Sequence, residues 1–219
     1  MIRLRQTILL ARPTARAMAW KPMLWAGALA VAYVLKEAPN AYVEYRVLVL
    51  RVAALLVCIG AAFALDDATE DTLSHVPTPL LLRRLLRVAL LLPLVGATWF
   101  LVVGFAGDVP QREGGPLPIG DLTLEAATLL AIALVAACIG ARLTSDRLGG
   151  IAAAPILLAL VALTMFLPAD YRLIVSTGDP RWDDVHETWR WILIVAGAAF
   201  VWLNRSVGSY RPGARLRAL

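Results

Sequence analysis

Charge is scarce in this chain: Asp, Glu, Lys and Arg make up 17% of its 219 residues, whereas 60% are of the AVILMFWYC type. A water-soluble domain averages about a quarter charged and about half apolar, so this composition argues against an ordinary soluble enzyme or binding module. Cysteine is scarcer still. The two present, Cys58 and Cys138, lie inside apolar stretches and read as small buried hydrophobes, not as the framework of a secreted disulfide scaffold. A GxxxxGK[ST] loop is missing, so the chain carries no phosphate cradle and is not expected to hydrolyse ATP by itself. Short-period repeats and low-complexity linkers are missing too, which makes 1–219 a single domain. The basic amino-terminal stretch holds Arg12, Pro13 and Arg16 where a cleaved signal needs an unbroken apolar core.

What the chain has is apolar length. Runs at 17–35, 47–65, 88–105, 122–141, 148–167 and 189–203 are bounded by charges, prolines or glycines. About 20 apolar residues cross a bilayer as a helix, so these runs predict an all-α polytopic membrane protein with six transmembrane helices. Lys21 and Pro22 interrupt the first run, and the sixth is short unless its helix begins near Trp182. Five spans, with the first segment lying on the surface, is the competing count. Residues 1–16 are basic and amphipathic, and read as an interfacial helix. With the amino terminus in the cytoplasm, fourteen of the 21 Lys and Arg residues fall on the inner side and six on the outer. Both termini are therefore expected inside a cytoplasmic (inner) membrane. The acids run the other way, eleven outside and five inside. The net charge of +5 then reports topology, with basic residues facing lipid phosphates and no nucleic acid implied.

Three polar regions stand out. The inner loop 66–87 reads DDATEDTLSHVPTPLLLRRLLR: four acids, then Pro77 and Pro79 around Thr78, then leucines alternating in clusters with Arg83, Arg84 and Arg87. Thr78 can cap a short helix that is apolar on one side and basic on the other and that runs into the third span. Asp66, Asp67, Glu70, Asp71 and His75 offer oxygen ligands for a divalent cation, as in membrane prenyltransferases. That chemistry needs a second acidic cluster, and Asp146 is the only other inner acid. The outer excursion at 168–188 ends in a Gly-Asp-Pro turn, and Trp182, Trp189 and Trp191 mark an outer aromatic belt. Asp183, His186 and Glu187 there supply only one imidazole, too few for zinc. Arg51 is the one charge well inside an apolar run. Counting from the outer ends of their segments, Arg51 and Glu125 both sit roughly 5 Å deep, so either they form an intramembrane ion pair or Arg51 snorkels to the headgroups. Gly60 with Ala64, and Ala136 with Gly140, have the spacing that lets helices approach closely.

The arrangement resembles the permease subunit of a small actinobacterial-type ABC exporter, of the kind encoded apart from its ATPase. The likeness rests on the basic amphipathic segment before the first span, six spans with both ends inside, and the loop FALDDATEDTLSHVPTPLLLRRLLRVAL. There a Leu-Asp-Asp closes the second span, and a proline and paired arginines precede the third. The resemblance implies that Asp66, Asp67, Glu70, Asp71, Arg83, Arg84 and Arg87 form a loop docking onto a nucleotide-binding ATPase subunit. ATP and Mg would then lie on that partner, with no cofactor, metal or catalytic residue in this chain. It also implies pairing with a second transmembrane subunit, as a homo- or heterodimer, and an outer excursion that caps the exit. A non-catalytic membrane scaffold and a metal-dependent lipid-modifying enzyme are the alternative readings.

Overall fold

The computed structural model describes residues 12–40, 42–66, 80–107, 116–143 and 149–205, and among them every regular element is helical. A short helix α1 at residues 12–17 leads into α2 (Trp20–Glu37), α3 (Val43–Ala62), α4 (Leu80–Gly107), α5 (Ile119–Leu143), α6 (Gly149–Phe166) and α7 (Trp182–Arg205). The remainder of the expected interfacial helix, 1–11, lies outside the described residues, as does 206–219.

Each of α2 to α7 falls on one of the six apolar runs: α4, α5 and α7 cover theirs and extend past both ends, while α2, α3 and α6 leave one to three residues of theirs outside the helix. Helix α7 starts seven residues before its run, where the Asp179 carbonyl accepts the Trp182 N–H at 3.0 Å and Asp183 and Asp184 favour the positive end of the helix dipole. Helix α4 runs unbroken through the Leu-Arg segment, so the expected short basic helix is the first two turns of a 28-residue helix. Hydropathy marks how far a segment can sit in lipid; capping marks where its helix ends.

Three helices are long and apolar enough to cross a membrane: Val43–Leu65, Leu81–Gly107 and Ile119–Leu143. At 1.5 Å per residue, lengths of 23, 27 and 25 residues exceed the roughly 30 Å hydrocarbon core. Helix α6 is apolar throughout but shorter, over Gly149–Thr164.

Helices α3 and α5 form the centre; α3 packs on α2, α4, α5 and α6, and α5 packs on α3, α6 and α7. Burial follows, with 61% of the α3 span and 50% of the α5 span inside the molecule but only 22% of α4, which lies at the edge. Four glycines, Gly60, Gly140, Gly149 and Gly150, sit at close approaches between elements, Gly149 against the Ala137 carbonyl on α5 and Gly150 against Phe63. A Cβ on Gly60 would run into Ala26 and the Pro22 carbonyl on α2, and one on Gly140 into Ala152 and the Gly149 carbonyl on α6. Successive helices alternate in direction. One end of the bundle gathers residues 167–181 and is called here the excursion end. The other gathers Arg83, Arg84, Arg87, Arg142 and Arg205 and is called the basic end.

Candidate functional site

Near the excursion end, α3, α5 and α7 each turn an ionisable side chain inward. Arg51 projects from the third turn of α3 and Glu125 from the second turn of α5. The two meet as a bidentate pair, Nε to Oε2 and Nη2 to Oε1, both 2.7 Å. The side chains are 12% and 4% exposed. Charge in an apolar bundle is tolerated when paired in this fork geometry. The third guanidinium nitrogen, Nη1, donates to the Val175 carbonyl at 2.9 Å and ties the excursion to α3.

The third member is His186, 2% exposed. Its Nε2 lies 3.0 Å from Glu125 Oε1 and its Nδ1 2.7 Å from the Trp182 carbonyl. Trp182 covers the group: its ring centroid is 4.3 Å from that of His186, and the Arg51 guanidinium carbon is 5.7 Å from it. The Trp182 indole N–H donates to Asp121 at 2.8 Å. Below the cluster, between α3, α5, α6 and α7, a cavity of about 60 Å3 is lined by Leu55, Leu129, Ile132, Leu160 and Trp189, with Arg51 at its rim. Ligand pockets for drug-sized molecules run ~300–1,000 Å3, so this one takes a few waters or part of an acyl chain.

The tryptophans divide. Trp191 is 61% exposed, as a belt residue should be. Trp189 is buried at 3% and donates to the Leu173 carbonyl at 3.0 Å, and Trp182 is half-buried on Asp121. Trp182 and Trp189 thus turn toward the bundle and not outward as Trp191 does, because Val185, Trp189, Ala196 and Phe200 recur along one stripe of α7 that faces the core.

At the basic end, the arginines expected to dock a partner turn inward instead. Arg84 is 8% exposed and donates to Asn204 Oδ1 at 2.7 Å; Arg87 is 4% exposed and donates to the Leu65 and Asp66 carbonyls at 3.3 and 3.1 Å. Arg83 is half-buried. Helix phase explains this: Arg84, Arg87 and Leu91 lie three and four residues apart on the face that meets the bundle. Asp66 accepts the Gly150 N–H at 2.7 Å and so caps α6. Burial pushes its carboxyl above the ordinary range, partly offset by the Gly150 and Gly149 amides and by Arg87. Asp67, Glu70, Asp71 and His75 lie outside the described residues.

Among the described residues, no three His, Cys, Asp or Glu side chains are grouped to hold a metal ion. Asp183 and Glu187 face solvent, with Glu187 on Arg190 at 2.7 Å, while His186 turns inside. Cys58 and Cys138 are both free and buried.

The sequence places His186 on a polar outer helix end without its pairing to Glu125, and it does not single out Asn204 at all. Asn204 is 2% exposed, takes the Arg84 bond and donates to the Phe200 carbonyl at 2.6 Å. Its signal was a lone amide four residues past Phe200 on the buried stripe. Compared with known protein families, curated protein sequences and solved structures, the chain matches none.

Proposed function

We propose that this chain is the membrane-spanning subunit of an ATP-driven exporter whose ATPase is a separate subunit. All six long helices cross the inner membrane, and the basic end and both termini lie in the cytoplasm. The observation that carries the reading is the clamp around loop 67–79. Asp66, on the near side of the loop, is bonded to the start of α6, and Arg87, on the far side, is bonded to the end of α3. A force on that loop from a bound ATPase therefore reaches α3, α4 and α6 together. The enclosed cavity between α3, α5, α6 and α7 is too small for a cargo molecule, and the larger hollow of about 480 Å3, between α2 and α4, is open at the surface of the bundle, which favours a path formed between two membrane subunits.

With Arg84 and Arg87 bonded within the bundle, the charges left for docking are Asp67, Glu70 and Asp71, which lie outside the described residues. Purification from the native membrane in mild detergent tests the reading. An ATPase chain is expected at a ratio near one to one, and it is lost when Asp67, Glu70 and Asp71 are all changed to Lys while the variant still elutes as a single sharp species. Recovery of this chain without an ATPase sinks the reading and moves the scaffold role ahead.

A further inference from the structure

The imidazole of His186 faces an acceptor at both nitrogens, the Glu125 carboxylate at 3.0 Å and the Trp182 carbonyl at 2.7 Å. A neutral ring has one N–H and can satisfy one of them; only the imidazolium satisfies both. The charges around it agree. Arg51 comes from α3, Glu125 and Asp121 from α5; α6 has no ionisable group; Asp179 and Arg181 in the excursion pair with each other at 2.9 Å; Asp183, Asp184 and Glu187 on α7 itself point outward. Glu125 and Asp121 are thus balanced by Arg51 and a charged His186, and the cluster is one positive charge short when the ring is neutral.

We propose that His186 is a proton-binding site whose proton latches the excursion end of the bundle. When the proton leaves for bulk solvent, one ring nitrogen turns a lone pair on an oxygen at a buried position, a contact that costs free energy until the groups move apart. The first turn of α7 then loses one of its bonds to α5 and keeps the one from Trp182 to Asp121, whereas α3 and α5 remain joined by the bidentate Arg51–Glu125 pair, so the turn is the more weakly held part. Residues 173–181 run directly into that turn and are held to the core by the Leu173 and Val175 carbonyls. Loss of the proton therefore loosens the excursion. This latch needs no ATPase, and neither does its test.

The full chain is placed in nanodiscs with 15N-labelled histidine, and nitrogen–proton correlation spectra are followed across pH; the His75→Asn variant assigns the signals. Both ring nitrogens of His186 are expected to carry protons at neutral pH, with a midpoint above the ordinary value of about 6.5. Glu125→Gln should lower that midpoint by about 1–3 units. A ring singly protonated at neutral pH, or a midpoint indifferent to Glu125→Gln, overturns the site. The latch is read separately in a Cys58→Ala, Cys138→Ala background. A cysteine at the buried Val175 (Val175→Cys) is labelled by a membrane-impermeant maleimide, and its rate is divided by that of a cysteine at the exposed Ser176 (Ser176→Cys), so that thiol ionisation cancels. The ratio is expected to rise as pH passes the His186 midpoint, and a flat ratio overturns the latch.

Discussion

Arg51 and Glu125 show what one residue can decide inside an apolar bundle. Paired, they cost little; left single, either is an uncompensated buried charge, a loss of about 3–5 kcal/mol. Arg51→Met is therefore expected to lower the melting temperature in detergent more than the double change Arg51→Met with Glu125→Leu does. Equal or larger loss in the double variant contradicts the pairing. Exchanging the two charges is a poorer test, since it sets an arginine against His186, which shares the Glu125 carboxylate. The pair was legible because depth follows from counting residues from a segment's end. His186 was not, because which residue of a helix faces which neighbour depends on the phase of both helices. A residue on a polar turn with acids on either side reads as solvated until α5 is set against it.

At the scale of elements, close approach and capping hold the helices together. A methyl group on Gly60 meets Ala26 and the α2 backbone, whereas one on Gly104 meets nothing within 4 Å. Gly60→Ala is expected to cost about 1–3 kcal/mol by overpacking, while Gly104→Ala is neutral or slightly stabilising; thermal unfolding of the two in one detergent separates them. Asp66 ties α3 to α6 through a backbone amide. Asp66→Ala should lose about 1 kcal/mol, and Asp66→Asn, which keeps an acceptor, only a few tenths. A loss as large for Asn as for Ala would show that the carboxylate's charge, beside Arg87, matters more than the cap. All six apolar segments were legible as helices, since apolar length needs no knowledge of packing. The facing of Arg84, Arg87, Trp182 and Trp189 was not legible for one reason: composition rules place arginines and tryptophans at membrane edges without saying which side of the helix they occupy.

For the whole molecule, the two ends of the bundle differ in how they are joined. The excursion end is closed by charge and aromatic contacts among α3, α5 and α7, and the basic end by arginine bonds to carbonyls and to Asn204. Among the described residues three helices meet the length and polarity needed to span unaided, yet α2, α6 and α7 are packed antiparallel to their neighbours in that same bundle. A helix buried against spanning partners can cross with charges at its ends, as Lys21, Lys36 and Glu37 are in α2. If all six cross, Tyr42 and Ser176, four helices apart, lie on one face of the membrane, and Leu143 lies on the other. In the cysteine-free background, cysteines at Tyr42 and Ser176 should react with an impermeant maleimide added to intact cells, and one at Leu143 only after permeabilisation. Reaction of Tyr42→Cys and Ser176→Cys from opposite sides would mean that an odd number of the helices α3 to α6 cross. The six-span arrangement would then give way to one in which the shorter α6 stays within one leaflet.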